Sequence, residues 1–203
     1  MKLYKSIDID YKKGETILRP EDTPQGVYYL EKGFIRSYLV SDRGKEMTLN
    51  IFKKGTYFPL QWALNNFDNE YFYEAMTNVK ISRIQKEDFN NYLINNPQIL
   101  MNLSKKLVSQ LETLYIRMSH AMGDNAFKRI ASTLLFMTKR YGEQNKKYIH
   151  ISVPVTHLCI ASIAGLTRET TSATLKKISN EGIISYRHKK IIIKDIKKLQ
   201  KIS

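Results

Sequence analysis

The chain has very little cysteine: Cys159 is the only one among its 203 residues. A single thiol excludes a disulfide within the chain, and it excludes zinc or iron–sulfur sites built only from cysteines of one chain. The first 30 residues contain no apolar stretch of signal-peptide length, and no apolar run is long enough to span a membrane. We therefore expect a cytoplasmic protein with no membrane partner, no metal and no cofactor.

Signals of catalysis are also scarce. The sequence contains no glycine-rich phosphate loop and no cluster of carboxylates. His157 and Cys159 are close in sequence, but side chains two residues apart on a helix point to different faces. Cys159 is better explained as a small packing residue. The sequence therefore does not predict an enzyme.

Positive charge is abundant and unevenly distributed. Lys and Arg number 33 against 19 Asp and Glu, which gives a formal net charge of +14. Residues 1–123 carry 17 basic and 14 acidic side chains, whereas residues 124–203 carry 16 basic and 5 acidic. This asymmetry indicates a polyanion-binding module joined to a nearly neutral one. A generally lysine-rich proteome would explain the composition equally well.

Short strands are predicted from Gly14 to about Ile84. Alternating or clustered β-branched and aromatic residues are separated by glycine-containing turns, a pattern typical of an antiparallel sandwich, roll or barrel. Gly44, in the turn at 41–46, is expected to take a positive φ. The predicted strands are VYYL (27–30), FIRSYLV (34–40), MTLNIF (47–52) and VKISRI (79–84).

A long helix of roughly 25 residues is predicted after Pro97. Its apolar residues recur at a spacing suited to a partner helix, so it must cover them with its own domain, with a second copy, or with both. An ordinary core helix is the alternative; a homodimer is favoured because one small β-domain cannot easily cover both sides. The predicted dimer residues are Leu100, Leu103, Leu107, Leu111, Leu114 and Met118.

Gly123-Asp124 is expected to end the long helix, and Asp124 to cap the next helix at 125–141. A short strand is then predicted at YIHISV (148–153).

The segment 157–184, HLCIASIAGLTRETTSATLKKISNEGII, predicts a helix-turn-helix. Thr156 is expected to cap the first helix and Thr167 the second, which runs from Arg168 to about Asn180. Ala161 permits close approach of the two helices, and Gly165 takes the tight turn. The buried sides are predicted to comprise Leu158, Ile160, Ala161, Ile163, Leu175 and Ile178.

The outward face of the second helix is expected to read base edges in a major groove. Arg168 can pair with the O6/N7 edge of guanine, Glu169 can accept from N4 of cytosine, and Ser172 is the next candidate. Residues after Gly182 predict two strands around a basic wing, whose cations would add phosphate affinity without sequence information. The predicted backbone contacts are Thr156, Thr167, Lys176, Arg187, Lys189 and Lys190.

In this order of parts the chain resembles the Crp/Fnr superfamily of bacterial transcription regulators. The resemblance is carried by YYLEKGFIRSYLVSDRGKEMTLNIFKKGTYF (28–58) and, more specifically, by LTRETTSATLKKISNEGII (166–184). It implies an α+β fold in three parts: an antiparallel, jelly-roll-like β-roll at 1–96, a dimerisation helix at 97–123 and a winged helix-turn-helix at 124–203. It also implies a dimer on a roughly palindromic operator, and RNA polymerase is a further candidate partner.

Several positions depart from that family's pattern. Ala173 stands where many members have an arginine, and Thr171 and Thr174 stand where apolar core residues are usual, so the operator need not match familiar ones. The places that hold ribose and cyclic phosphate in cyclic-nucleotide binders correspond to Pro59-Leu60 and Asn69-Glu70 here. A glutamate there would repel a phosphate, so cyclic AMP is not expected.

Other effectors of the family are restricted in the same way. One cysteine cannot hold an iron–sulfur cluster, and with no histidine before His120 the roll cannot supply a histidine ligand to haem. Aromatic residues could bind an apolar small molecule, or they could simply fill the core of the roll. The candidate effector residues are Tyr57, Phe58, Trp62, Tyr71, Tyr73 and Tyr115.

The function predicted from the sequence is therefore that of a sequence-specific regulator bound to double-stranded DNA. Two alternatives remain open at this point. An architectural, nonspecific DNA binder would use charge alone and show a steep salt dependence. A protein-interaction module built on the long helix would not bind DNA even at low salt.

Overall fold

The computed structural model describes residues 6–121, 125–145, 148–187 and 190–203. The chain divides into two compact units, Met1–Lys106 and Leu107–Ser203. The division into three parts at residues 96/97 and 123/124 stays a prediction. None of the described helices is long and apolar enough to cross a membrane. The described residues also include no group of three or more His, Cys, Asp or Glu side chains placed to hold a metal ion.

The first unit contains two four-stranded antiparallel sheets, as the sequence predicts for a roll. One has the order β1-β8-β3-β6 and the other the order β2-β7-β4-β5. The strands are β1 (Ile7–Tyr11), β2 (Thr16–Leu18), β3 (Val27–Lys32), β4 (Phe34–Val40), β5 (Glu46–Lys53), β6 (Tyr57–Phe58), β7 (Phe72–Ala75) and β8 (Val79–Ile84).

All four predicted strands are present, with ends that match to within two residues. The sequence did not predict β1, β2, β6 and β7, which have between two and five residues and too short a pattern to stand out. In the turn between β4 and β5, Gly44 has a φ of 71°, as predicted, and its N–H donates to Ser41 O at 2.8 Å.

Alternate residues of these strands form the core of the roll. Three rings stack in its interior: the centroid of Phe58 lies 5.3 Å from that of Tyr28 and 5.2 Å from that of Tyr73. Burying large rings in contact contributes both apolar area and favourable stacking geometry. The other buried members of this core are Ile17, Leu18, Leu30, Ile35, Ala75, Val79 and Ile81.

Three helices follow or interrupt the strands: α1 (Leu60–Asn65), α2 (Lys86–Asn95) and α3 (Pro97–Ala121). A second core joins them to the roll through Val27, Ala63, Phe89, Tyr92, Leu93 and Leu103. Leu103 is therefore buried inside its own unit, which corrects its assignment to the dimer face. The other five predicted dimer residues, Leu100, Leu107, Leu111, Leu114 and Met118, are 37% to 55% exposed.

The second unit holds α4 (Ala126–Tyr141), β9 (Gly142–Gln144), β10 (Ile149–Ile151), α5 (His157–Ala164), α6 (Arg168–Asn180), β11 (Ile184–Arg187), β12 (Lys190–Ile193) and α7 (Ile196–Lys201). Its strands form one antiparallel sheet in the order β11-β12-β10-β9. The first cap of this unit differs from the prediction. Asn125 caps α4, its side chain accepting from the backbone N of Lys128, and the predicted break and cap at Gly123-Asp124 lie outside the described residues.

Candidate nucleic-acid interface

Helices α5 and α6 form the predicted helix-turn-helix, and each begins at a threonine cap. Thr156 Oγ1 accepts from the N–H of Cys159, and Thr167 Oγ1 accepts from the N–H of Thr170, both at 3.1 Å. Gly165 occupies the turn in the left-handed conformation, with a φ of 67°. These contacts satisfy amides that a helix start leaves unpaired, so the first residue of each helix is fixed locally.

The packed side of the motif agrees with the prediction except at Leu158. Ile160, Ala161, Leu175 and Ile178 are buried, whereas Leu158 is 56% exposed. The burial of α5 begins at Cys159, and Leu158 lies in the first turn, before the packed part of the helix. An apolar side chain near a helix start was wrongly assigned to the core because the sequence shows the period of a helix but not where its packing begins.

Arg129 of α4 holds the turn of the motif, a role that the sequence analysis missed. Its Nη2 donates to Ala164 O at 2.5 Å and to Gly165 O at 3.3 Å. These carbonyls end α5, where a cation also interacts favourably with the helix dipole. A Cβ at Gly165 would lie 2.7 Å from the same Nη2, so a larger residue would displace the guanidinium in addition to straining the positive φ.

Arg129→Ala should lower the free energy of unfolding by about 2 kcal/mol, since hydrogen bonds to charged groups contribute roughly 1.5–3 kcal/mol. Urea unfolding followed by circular dichroism measures the change. Lys177→Ala removes an equal charge from the exposed surface of α6 and should change stability by less than about 0.5 kcal/mol. Equal losses in the two variants would show that the contacts of Arg129 do not stabilise the turn.

Two threonines of α6 occupy core positions, as their departure from the family pattern suggested. Thr171 is fully buried and Thr174 nearly so. The Oγ1 of Thr174 donates to Thr170 O at 2.8 Å. The Oγ1 of Thr171 has no hydrogen-bond partner in the part of the chain that the structure describes. A buried hydroxyl without a partner costs free energy because it has lost its hydrogen bonds to water.

Thr171→Val should therefore raise the free energy of unfolding by about 1 kcal/mol, because valine keeps the shape and removes the unpaired hydroxyl. Thr174→Val is the matched control: it removes a hydroxyl that already has a partner, and it should give no comparable gain. Both are read from the midpoints of urea unfolding. A less stable Thr171→Val protein would reveal a partner for the hydroxyl, such as a buried water molecule.

The outward face of α6 presents the predicted base contacts. Arg168 and Glu169 are exposed in its first turn. Lys176 is exposed further along, whereas Ser172 is half-buried. The Oγ of Ser172 lies 2.9 Å from Nδ1 of His157, the first residue of α5. The structure therefore brings three of the predicted groups to the surface and places the fourth, Ser172, in a contact with another helix.

The wing is the hairpin of β11 and β12, in which Arg187 pairs with Lys190. Both side chains are exposed, and Lys189 lies outside the described residues. The Nη1 of Arg187 donates to the Tyr148 hydroxyl at 3.3 Å. Tyr186 is 46% exposed, with its hydroxyl 3.4 Å from Nε2 of His157. The wing is thus connected to the start of α5.

The acidic residues of the segment 125–203 do little to offset its basic surface. Among those that the structure describes, Glu143 pairs with His150, Nε2 to Oε2 at 3.0 Å. Asp195 caps α7 by accepting from the N–H of Lys198. Glu169 and Glu181 remain as exposed carboxylates on or beside α6. A surface with this excess of Lys and Arg attracts polyanions.

The candidate effector residues do not lie in one group. Phe58 and Tyr73 belong to the core of the roll and are each 1% exposed, with Tyr71 packed against that core. Tyr57 and Trp62 pack instead on the second core, next to α1 and α2. Burial raises the pKa of Tyr57 to about 12, so its phenol is neutral at physiological pH. Tyr115 belongs to the second unit and is 61% exposed.

The loop at Asn69-Glu70, which the family resemblance suggests as the counterpart of a phosphate-binding site, is held by hydrogen bonds of Asn69. Asn69 is 5% exposed. Its Nδ2 donates to Arg19 O at 2.5 Å and to Tyr71 O at 2.9 Å, while its Oδ1 accepts from the N–H of Tyr71. Glu70 is exposed beside it. These contacts fix the conformation of the loop through the Asn69 side chain.

Comparison with known families gives a match for each half of the chain. Residues 8–96 match the model of the cyclic nucleotide-binding domain, and residues 128–202 match that of the Crp-like helix-turn-helix domain. The chain is 27% identical over 190 residues to the global nitrogen regulator of Synechococcus elongatus, covering 90% of this chain and 83% of that protein. It is also 27% identical over 191 residues to the cAMP-activated global transcriptional regulator CRP of Salmonella typhimurium, covering 90% and 87%.

Solved structures share the fold along nearly the whole chain. A CooA mutant from Carboxydothermus hydrogenoformans superposes with a TM-score of 0.82 at 24% identity, covering 98% of this chain and 88% of that one. FixK2 from Bradyrhizobium japonicum gives the same TM-score at 20% identity and covers 98% of both chains.

Proposed function

The chain belongs to the Crp/Fnr family of DNA-binding transcription regulators, and from that premise we propose that it acts as a homodimer on a two-fold-related DNA site. In this proposal α6 of each copy enters a major groove and the wing contacts the phosphate backbone. The half-sites of such a dimer are centred about 34–36 Å apart, one turn of DNA. The protein acts in the cytoplasm, with RNA polymerase as a further partner.

The exposed first turn of α6 carries the proposal of sequence specificity. Arg168 and Glu169 follow directly after the Thr167 cap and the Gly165 turn, so their backbone is fixed before DNA arrives. An arginine and a glutamate side by side provide a donor fork and an acceptor, which suit guanine and cytosine edges. An acidic side chain facing DNA costs affinity unless it accepts a hydrogen bond from a base, and this favours specific over nonspecific binding.

The proposal of a homodimer rests on α3. Regulators of this family act as dimers. Leu107, Leu111, Leu114 and Met118 form an exposed apolar stripe along the second half of the helix. An apolar stripe with this spacing is buried effectively by a second helix of the same kind.

For the roll we propose an effector that is not a cyclic nucleotide, or no effector. Glu70 would repel a cyclic phosphate, and Asn69 already uses its side chain to hold the loop. The burial of Phe58 and Tyr73 supports their role as core residues. The aromatic groups that could still contact a small apolar molecule are the partly exposed ones, Tyr57, Trp62 and Tyr71.

Selection of random duplex DNA by the purified, effector-free protein at near-physiological salt tests the proposal. Recovery of a two-fold-related motif is the expected result, and it would identify a sequence-specific dimer that is active without an added effector. Binding without any motif, lost steeply as salt rises, would instead identify a nonspecific DNA binder. No binding even at low salt would leave a protein-interaction module built on α3.

The same selection in the presence of cyclic AMP tests the roll. The recovered motif and the amount of bound DNA should not change. A motif that appears only with the nucleotide would overturn the proposal for the effector.

A further inference from the structure

His157 lies where the three parts of the DNA-binding surface meet. It is the first residue of α5, its Nδ1 is 2.9 Å from Ser172 Oγ on α6, and its Nε2 is 3.4 Å from the Tyr186 hydroxyl on β11. The rings of His157 and Tyr186 are also in contact, with centroids 5.9 Å apart. One half-buried side chain therefore connects the recognition helix with the wing.

We propose that His157 is a specificity-determining positioning residue, which holds the Ser172 hydroxyl in place to read a base and joins it to the wing through Tyr186. The inference rests on the proposed function, because it assigns a role within the DNA-reading face of α6. From the sequence alone, His157 is only a rejected candidate for catalysis.

The first reason is that Ser172 would otherwise have no defined direction. A serine hydroxyl rotates freely, and it can donate one hydrogen bond and accept two. A contact with Nδ1 fixes one of these roles and leaves the others for DNA. Ser172 is half-buried, and it follows Arg168 by four residues and Glu169 by three, so it lies on the same face of α6 as they do.

The second reason is that the other side of the ring sets which role remains. Burial raises the pKa of Tyr186, so its phenol keeps its proton at neutral pH. If that proton is donated to Nε2, the neutral imidazole carries its own proton on Nδ1 and donates it to Ser172 Oγ. The Ser172 proton is then free for an acceptor on the base, such as purine N7, guanine O6 or thymine O4. Cytosine offers only a donor in the major groove, so at that position it can pair with the second lone pair of Ser172 Oγ but not with the freed proton.

The test uses the full-length protein and fluorescent duplexes that carry the motif selected by the wild type, with each base pair changed in turn. His157→Ala and Ser172→Ala should each weaken the preference at the same base pair, by roughly fivefold, the equivalent of one hydrogen bond. The double variant should show no further loss of that preference. The preference of these variants at every other base pair of the motif should equal that of the wild type.

Two conservative variants separate the two ring contacts. The amide of asparagine reaches the position of Nδ1, so His157→Asn should retain most of the preference. The amide of glutamine reaches the position of Nε2, so His157→Gln should retain the contact with Tyr186 and lose the preference. Thermal unfolding of each variant identifies any that fail to fold. If His157→Ala does not fold, the test rests on whether His157→Asn keeps the base preference and His157→Gln loses it.

Three results would overturn the inference alone, with the wild type still selective. They are an equal loss of affinity for all duplexes in His157→Ala, multiplicative losses in the double variant, or the same behaviour of the Asn and Gln variants. A wild type without any base preference would overturn the proposed function and this inference together.

Discussion

Glu169→Ala should remove the preference for one base pair in each half-site while increasing affinity for unrelated DNA. The carboxylate is exposed in the first turn of α6, where it can accept a hydrogen bond from N4 of cytosine. On DNA without a cytosine at that position, the same carboxylate only repels the phosphates. Loss of a good base contact is equivalent to about 1–3 kcal/mol of discrimination per position, or roughly 5- to 150-fold. Fluorescence anisotropy with the selected duplex and its single-base variants measures the change.

Lys190→Ala is the matched control for this prediction. Lys190 is exposed on the wing, and its cation should contribute to binding of any duplex. Its removal should weaken all sequences alike and reduce the salt slope by about one. If Glu169→Ala also weakened all sequences alike, α6 would not read bases through this residue, and the orientation proposed for the recognition helix would be wrong.

The helix-turn-helix was predictable nearly to the residue because its local signals agree. Thr156, Gly165 and Thr167 each have a chemistry that suits only one position in such a motif: a cap, a left-handed turn and a second cap. Local hydrogen bonds determine these features, and local sequence therefore reveals them. The charge of residues 124–203 independently indicates a polyanion-binding module in the same part of the chain.

Long-range contacts were not predictable in this way. Arg129 is 35 residues from Ala164, and no spacing rule links a basic residue on one helix to the end of another. Asn69 likewise holds Arg19 O across 50 residues. The contact of His157 with Ser172 joins residues 15 apart on two different helices, and no spacing rule predicts it.

Of the six dimer residues predicted on α3, Leu103 was assigned wrongly, and the error has a clear cause. A repeat of 3.5 residues shows which side chains share a face, but not which part of the face is covered by the same chain. Leu103 is covered by Phe89, Leu93 and their neighbours from α2, a helix that the sequence analysis did not predict. Apart from Leu100, the exposed members of the predicted set therefore all lie beyond Leu103.

Leu111→Glu should convert the proposed dimer to a monomer and lower affinity for a two-fold-related site by at least about 100-fold. In a dimer the substitution places two carboxylates at an apolar seam, where burying unpaired charge costs several kcal/mol. A monomer also loses the gain in affinity that comes from linking two half-site contacts. Light scattering should give a mass near 23.7 kDa in place of about twice that value.

Ser109→Glu introduces the same charge on the opposite face of α3, since successive residues of a helix are about 100° apart. It should leave both the mass and the DNA affinity close to those of the wild type. A Leu111→Glu protein that stays dimeric at micromolar concentration would show that the subunits meet through a different surface. A Leu111→Glu monomer that binds the full site as tightly as the wild type would show instead that one copy is enough, and the two-fold site would then have no physical basis.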